Sequence, residues 1–246
     1  GYVEPGELVS AKLDGVFSND ITAPIAIREM AKIGVEGVFD REKIILVLDH
    51  FVPNKDVASA EQAAEMRQFV KRYSLPHYFE VGRGGVCHQV MVDEGFAAPG
   101  RLIVGADSHT CTYGGINAFS TGIGSTEAAA CFAEGRLWFK VPEAINVKLR
   151  GKFERMVSGK DLIIKIITDI GVDGANYKAF EFSGPGVASV PVSNRLTVSN
   201  MAIEAGGKAG IFPCDLLTEE FLRGRVRGPY TPVSADPNAS YWKELE

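Results

Sequence analysis

Apolar segments of strand length alternate along this chain with segments of helical period, and this alternation constrains the fold more than any other feature. The run IILVL at 44–48 predicts a buried strand, and the segment after it, with Ser59 and Gln62 in a capping spacing, predicts a helix. Further strands are predicted at 77–81 and 102–105. Such alternation is typical of a mostly parallel α/β sheet covered by helices on both faces.

The alternation pauses near residue 143 and then resumes, which predicts two α/β domains. Residues 1–143 would form the first domain and residues 144–215 the second, in which Ser158 is expected to begin a helix and Gly171 to end it. From about residue 216, prolines and mixed charges replace the apolar periodicity. We therefore expect residues 216–246 to be a linker that leads towards a further domain.

Charge and composition disfavour several classes of protein. The net charge of -5 argues against a nucleic-acid-binding surface, because duplex binding needs a basic face. No apolar run approaches the length of about 20 residues that spans a bilayer, and the start lacks the layout of a secretory signal. We expect a cytoplasmic protein without a membrane partner. The four cysteines form no CxxC pair, so their spacing predicts neither a disulfide framework nor a zinc site.

Three of the four histidines follow the ends of predicted strands or lie next to glycine. These are His50 in LDH, His88 in GGVCHQ and His109 in GADSHT. Ligands of open α/β sheets bind outside the carboxyl ends of the strands, so these segments are expected to line a site. Asp49 and Asp107 accompany two of the histidines. A carboxylate next to an imidazole favours the protonated ring, which suits general acid catalysis.

Other polar residues have simpler interpretations. His77 is expected to be a satisfied core or surface group, and Asp20 could cap the following helix, which has Pro24 in its first turn. Arg83 in GRGG is more typical of a solvated loop charge than of a carboxylate clamp. The glycine runs match no nucleotide-binding motif. A histidine and aspartate cluster would also suit a metal-dependent hydrolase, and spacing alone leaves that alternative open.

At LDH, GGVCHQ and above all GADSHTCTYGGINAFSTGIGSTE (105–127), the sequence resembles the aconitase superfamily. The segment LWFKVPE at 137–143 resembles the isopropylmalate dehydratase and homoaconitase branch, and the resemblance covers nearly all of residues 7–215. It implies the three-layer α/β/α fold of the aconitase iron-sulfur domains. It also implies a hydro-lyase that interconverts 2- and 3-isopropylmalate through isopropylmaleate in leucine biosynthesis. A homoaconitase, a dimethylmalate-type dehydratase and, more remotely, a cluster-free RNA-binding module are the alternatives.

The same resemblance implies roles for individual residues. The catalytic residues would be Asp49, His50, His88, Asp107, His109 and Glu181. The substrate-binding residues would be Asn19, Asp20, Thr22, Ser108 and Arg83. Many bacterial relatives have His-Asp where this chain has Asn19-Asp20, as in the shorter archaeal-type subunits. That departure leaves the identity of the hydroxy-dicarboxylate substrate open.

The resemblance further implies parts of the enzyme that residues 1–246 do not contain. The family's 4Fe-4S cluster is held by cysteines in a Gly-Ser-Cys-Thr-Asn segment and a later Cys-x-x-Cys, and neither motif occurs here. We therefore expect the cluster only in the complete enzyme and no metal ligands in this chain. The catalytic serine and several substrate-binding arginines would come from a later part of the large subunit and from a swivelling domain. That domain is expected on a separate small subunit, in a heterodimer or heterotetramer, so we expect this chain to be an N-terminal portion.

Overall fold

Strands and helices alternate through the computed structural model, which describes residues 2–246. Its first part contains, in chain order, β1 (Leu8–Lys12), β2 (Gly15–Asn19), α1 (Ala23–Ile33), β3 (Ile44–Val47), α2 (Val57–Tyr73), β4 (Tyr78–Phe79), α3 (Cys87–Asp93), β5 (Leu102–Gly105), β6 (Phe119–Gly122), α4 (Ser125–Glu134) and β7 (Arg136–Lys140). The second part contains β8 (Ala144–Lys148), α5 (Gly159–Ile170), β9 (Ala179–Ser183), α6 (Val192–Asn200), β10 (Ala209–Ile211), α7 (Leu216–Leu222) and β11 (Lys243–Leu245). Two 3₁₀ helices, Ser108–Ile116 and Met201–Ala205, follow β5 and α6.

Five parallel strands form the first sheet, in the spatial order β4-β3-β2-β5-β6. The chain proceeds from β2 outwards to β3 and β4, and then returns to the other side of β2 for β5 and β6. This reversal places a topological switch point between β2 and β5. The crevice at the carboxyl ends of the strands at such a point is the usual ligand site of an open parallel sheet.

Both faces of this sheet are apolar, because neighbouring strand residues point to opposite sides. In β3, Ile44 and Leu46 pack with residues of α1, α2 and α4 on one face. Ile45 and Val47 pack on the other face with α3 and the 3₁₀ helix at Ser108–Ile116. All four residues of β3 are at most 1% exposed. This arrangement confirms the predicted three-layer α/β/α fold.

The second sheet is also parallel, with the order β10-β9-β8-β11, and its strand β8 begins at Ala144. The 3₁₀ helix at Ser108–Ile116 packs between the two parts of the chain. A Cβ atom on Gly114 would lie 2.0 Å from the carbonyl oxygen of Gly210, so only glycine permits this approach. The bounds of the strands do not test where the first domain ends. The division between residues 143 and 144 therefore stays a prediction.

Residues 216–246, predicted to be a linker, contain helix α7 and strand β11. Leu222 of α7 is 2% exposed within the core of the first part, and β11 pairs in parallel with β8. Between them, the Val233 N–H donates to Asn117 Oδ1 at 2.9 Å. Parts of residues 216–246 therefore pack into the fold, although one buried leucine and a three-residue strand are too short to produce a readable periodicity. That this segment leads towards a further domain stays a prediction.

Helix starts also differ in detail from the sequence-based expectation. The N-cap of α2 is Asp56, whose carboxylate accepts the Ser59 N–H at 2.8 Å, so the N-cap lies three residues before the predicted one, Ser59. In the second part of the chain, α6 begins at Val192, and the segment MAIEA that follows it forms a 3₁₀ helix. Among residues 2–246, no helix combines the length and the apolar character needed to cross a membrane.

Candidate active site

Asp107, which follows β5, lies at the centre of a hydrogen-bond network at the carboxyl edge of the first sheet. Its Oδ1 accepts from His88 Nε2 at 3.0 Å and from the His109 N–H at 2.8 Å, and its Oδ2 accepts from Asn19 Nδ2 at 3.1 Å. Burial alone raises the pKa of Asp107, but the hydrogen bond and charge of His88 outweigh it and lower the pKa to about 2. Asp107 is therefore ionised at neutral pH.

The loop after β3 carries a closely bonded Asp49 and His50. Asp49 Oδ1 lies 2.5 Å from His50 Nδ1, and Asp49 Oδ2 accepts the N–H of Cys87, the first residue of α3, at 2.7 Å. His50 Nε2 has no hydrogen-bond partner among residues 2–246 and lies 3.8 Å from Asp107 Oδ2. Because the His50 side chain is 35% exposed, this nitrogen is available to a bound molecule.

Asp20 fastens the loop that carries His50 to the end of β2. Its Oδ1 accepts the N–H groups of Asp49 and His50 at 3.2 and 3.0 Å, and its Oδ2 accepts the Phe51 N–H at 2.7 Å. The N-cap of α1 is Thr22 rather than Asp20, so the helix-cap interpretation is wrong. Asp20 is 2% exposed and its oxygens are engaged by the backbone. A substrate-binding role therefore stays a prediction, and the contacts instead indicate a clamp on the loop.

Asn19 and Thr22, both predicted to bind substrate, are bonded within the protein. Asn19 Oδ1 accepts the N–H groups of Ile21 and Thr22 at 3.0 and 3.2 Å and the Thr22 hydroxyl at 3.1 Å. Asn19 Nδ2 is the group that reaches Asp107. These bonds join the end of β2 to the end of β5, and a direct contact with substrate stays a prediction.

His88, in the first turn of α3, has both ring nitrogens engaged. Nε2 bonds to Asp107, and Nδ1 lies 3.0 Å from the hydroxyl of Tyr113, which is fully buried. Burial raises the pKa of Tyr113 well above its ordinary value. The sequence analysis missed Tyr113, because a tyrosine within a glycine-rich segment has no distinguishing pattern and only the 3₁₀ helix turns it towards His88.

His109 joins the site to the second part of the chain. Its Nδ1 lies 3.2 Å from Ser108 Oγ, and its Nε2 lies 3.2 Å from Glu204 Oε1. Glu204 is not among the residues predicted from the sequence, whereas Glu181 is. Burial raises the pKa of Glu181, and in the described residues its side chain has no hydrogen bond to a histidine, so its catalytic role stays a prediction. The structure thus brings Glu204, rather than Glu181, to the histidines.

The loops after β3 and β4 border the remaining open side of the site. Arg83 is exposed there and has no side-chain hydrogen bond or ion pair within residues 2–246, so its contact with substrate stays a prediction. A cavity of about 240 Å³ opens beside Asp49 and is lined by Val52, Val81 and Val86. These valines are 38%, 51% and 67% exposed. Glu80 also lines the cavity, which therefore offers a partly apolar surface next to the Asp49-His50 pair.

Asp49, His50 and Cys87 bring three potential metal-ligand atoms within 4.8 Å of one another, which bears on the metal-hydrolase alternative. Cys87 is 1% exposed, and burial raises the pKa of its thiol, whereas metals bind the thiolate. Both Asp49 oxygens are already engaged, by the His50 ring and by the Cys87 N–H. The three groups are therefore arranged as a hydrogen-bonded set.

An iron-sulfur cluster requires cysteine thiolates that converge on one point. Cys87, Cys111 and Cys131 belong to three different apolar packing clusters, and Cys214 is only partly buried. Burial raises the pKa of both Cys111 and Cys131 to about 12. The cysteines of this chain therefore do not fit a 4Fe-4S cluster.

Comparison with known proteins adds to this geometry. A family model described as the aconitase family (aconitate hydratase) matches residues 3–246. Among solved structures, the holo-form of aconitase X from Thermococcus kodakaraensis covers 96% of this chain and 56% of its own, with a TM-score of 0.48 and 9% identity.

Curated relatives match at much higher identity. The 3-isopropylmalate dehydratase large subunit of Thermodesulfovibrio yellowstonii is 53% identical over 244 residues, which are 99% of this chain and 58% of the relative. The large subunit of the same name from Moorella thermoacetica is 52% identical over 244 residues, again 99% and 58%. That from Caldicellulosiruptor saccharolyticus is 52% identical over 245 residues, 100% and 57%. The chain thus spans less than two thirds of the length of these relatives.

Proposed function

The chain belongs to the aconitase family, and from this premise we propose that it is part of the large subunit of a cytoplasmic hydro-lyase of the 3-isopropylmalate dehydratase type. The proposed enzyme interconverts 2- and 3-isopropylmalate through isopropylmaleate in leucine biosynthesis. The names of relatives at 52–53% identity support this proposal. The observation that carries it is the convergence of three strand ends on His50, whose Nε2 faces the site without a hydrogen-bond partner in the described residues.

The proposed reaction faces two chemical obstacles. The proton next to a carboxylate is weakly acidic, so the developing charge needs stabilisation, and hydroxide leaves poorly unless it is protonated or bound to a Lewis acid. We assign His50 Nε2 to protonate the departing oxygen and to take up a proton when water adds back. Asp49 holds Nδ1 of the same ring at 2.5 Å, and Asp20 fixes the backbone of the loop.

The other two histidines have different proposed roles. His88 is engaged at both nitrogens, so it orients Asp107 rather than exchanging a proton with the substrate. His109 is 38% exposed and Glu204 is 51% exposed, which leaves them at the open side of the site. We assign His109 to orient the substrate through a polar contact, with Glu204 fixing its ring.

The three valines that line the cavity beside Asp49 support the choice of substrate. A small branched alkyl group suits the surface formed by Val52, Val81 and Val86, since burial of apolar area is favourable at about 25 cal/mol per Å². Homoaconitase is the main alternative, and its substrate would bring a carboxylate to this position. A dimethylmalate-type dehydratase, with a smaller alkyl substituent, is the other alternative.

Members of the aconitase family are 4Fe-4S enzymes. Because the cysteines of this chain do not fit a cluster, we propose that the chain itself binds none and that the ligands lie elsewhere in the protein. The cluster, when bound, supplies Lewis-acid chemistry. We further propose a small subunit with the swivelling domain as partner. The catalytic base and most of the positive charge for the anionic substrate would also come from outside these residues, since Asp20, Asp49, Asp107 and Glu204 make this part of the site acidic.

Reconstitution of the full-length large subunit with its small subunit, loaded anaerobically with iron and sulfide, tests the proposal. We expect turnover of 3-isopropylmalate with a higher kcat/KM than that of homoaconitate. Turnover of homoaconitate alone would establish the alternative, and absence of isopropylmalate turnover in a cluster-loaded complex would overturn the proposal.

A further inference from the structure

We propose that Tyr113 is a positioning residue that, together with Asp107, fixes the tautomer of His88 and, through the His88 ring, holds Asp107 in place beside His50. The effect on turnover rests on the proposed function. The effect on the tautomer is independent of any activity and can be measured separately.

His88 Nε2 carries the proton that lies between His88 and Asp107. Asp107 is ionised and a carboxylate can only accept hydrogen bonds, so the proton between Asp107 Oδ1 and His88 Nε2, 3.0 Å apart, belongs to the histidine. In the neutral ring the other nitrogen, Nδ1, is then unprotonated and must accept.

The Tyr113 hydroxyl lies 3.0 Å from His88 Nδ1. Tyr113 is fully buried, its pKa is raised by burial, and within residues 2–246 its hydroxyl has no other hydrogen-bond partner. A phenol that donates to Nδ1 is therefore satisfied. If Nδ1 carried a proton instead, the phenol would have to accept, and its own hydrogen would remain buried without an acceptor, which is unfavourable.

This pair is linked to the rest of the site through Asp107. Asp107 Oδ2 lies 3.8 Å from His50 Nε2, the nitrogen assigned to proton transfer. A His88 ring held at both ends fixes the carboxylate that faces this nitrogen. Tyr113 itself packs in a core cluster with Val192 of α6 and Leu222 of α7. Through Tyr113, residues of α6 and α7 in the second part of the chain therefore help to position His88 and Asp107 in the first part.

The variant Tyr113→Phe tests the proposal because it removes the hydroxyl and keeps the ring. Nitrogen-15 NMR of histidine-labelled full-length large subunit reports the tautomer, with the His88 signals assigned by their loss in His88→Asn. We expect the wild type to show the Nε2–H tautomer with Nδ1 unprotonated. We expect Tyr113→Phe to show an added fraction protonated at Nδ1 as well, because Nδ1 loses the donor that satisfied it while Asp107 still accepts from Nε2–H. In the reconstituted holoenzyme we expect kcat to fall about tenfold with KM little changed. Tyr73→Phe, which removes a hydroxyl with no hydrogen bond in the described residues, should change neither measurement.

Each result decides the proposal. Unchanged protonation of His88 Nδ1 in a folded Tyr113→Phe variant overturns it, as does an Nδ1–H tautomer in the wild type, a measurement that remains available if the variant does not fold. Changed protonation of Nδ1 with unchanged kcat overturns the link to His50. Changed protonation of Nδ1 in a protein without hydro-lyase activity upholds the tautomer assignment while the proposed function fails.

Discussion

The two ends of the five-stranded sheet carry similar ionisable side chains but hold them differently. At the carboxyl end, His50 lies 2.5 Å from Asp49, whose side chain is 11% exposed, and Asp107 is 13% exposed. At the amino end, His77 Nε2 lies 3.3 Å from Glu42, whose side chain is 57% exposed. Both ends thus contain a histidine and carboxylate pair. Only at the carboxyl end are the carboxylates withdrawn from water and bonded to several strand ends at once.

The amino end also contains the larger cavity, about 480 Å³, bordered by His77, Lys43 and Arg101. Its charged groups already bond to the protein, as when Arg101 donates to the carbonyl of Phe96 at 2.7 Å. Burial lowers the pKa of His77, and the neighbouring charge of Arg227 lowers it further. Cavity size and charge alone therefore do not distinguish the two ends. The ends differ in the Nε2 atom of His50, which is left available within a hydrogen-bonded network.

The largest expected difference between the two ends is in catalysis. We expect His50→Gln to lower kcat of the reconstituted enzyme by about 10³-fold, because it removes the group assigned to proton transfer. The matched variant His77→Gln should change kcat by less than about twofold, since it lies at the opposite edge. Steady-state assays with 3-isopropylmalate, with circular dichroism to verify folding, make the comparison. Equal losses of kcat in the two variants would show that the two ends of the sheet do not differ in catalysis.

The next effect concerns the carboxylates that bond to the backbone. Asp20→Asn replaces an acceptor of three N–H groups with an amide that must oppose one of them, so we expect a loss of about 3 kcal/mol in the free energy of unfolding. Asp14→Asn at the amino end should cost less than about 1 kcal/mol, because Asp14 accepts one N–H, from Leu102, and is 46% exposed. Urea denaturation of the full-length subunit measures both losses in the free energy of unfolding. A loss for Asp14→Asn as large as that for Asp20→Asn would contradict the role of Asp20 in holding the loop.

The smallest effect is expected in the pH dependence of stability. The folded-state pKa of Asp107, about 2, lies below its ordinary value of 3.8. Its stabilising contribution is therefore complete above about pH 4 and is lost as the pH falls through 2, an amount of about 2 kcal/mol. In Asp107→Asn this part of the pH dependence should vanish. Urea denaturation between pH 5 and the acid limit of folding, at about pH 2, measures the free energy of unfolding as a function of pH. Identical slopes of that free energy against pH in the variant and the wild type would contradict the prediction.

Much of the fold could be predicted because its signals are local. The buried strand at IILVL, the helix between Ser158 and Gly171 and the segments that carry His50 and His109 all lie where the sequence indicates. Local signals failed where an element is short or depends on distant partners. Strand β11 is three residues long and is held by its pairing with β8 and by an ion pair of 2.6 Å between Glu244 and Lys148.

The site was predictable in its residue types but not in its bonding. His50, His88 and His109, predicted from the sequence, lie close together in the structure, and their catalytic roles stay predictions. Asp20 bonds to the backbone of the loop that carries His50, and Glu204, which the sequence did not indicate, lies beside His109. A carboxylate at a strand end has the same local pattern whichever partner it meets. Its role depends on the backbone groups that the neighbouring strands bring to it.

Periodicity and turn residues act over a few neighbouring positions. The alternation of strands and helices, the parallel three-layer architecture and the segments that meet at the carboxyl edge could therefore be predicted from local patterns. Which histidine keeps an available nitrogen depends instead on tertiary contacts. The bond from Asn19 to Asp107 joins residues 88 positions apart, and that from His109 to Glu204 joins residues 95 positions apart. Such bonds are set by the packing of strand ends and of the two parts of the chain against each other, which no local pattern encodes.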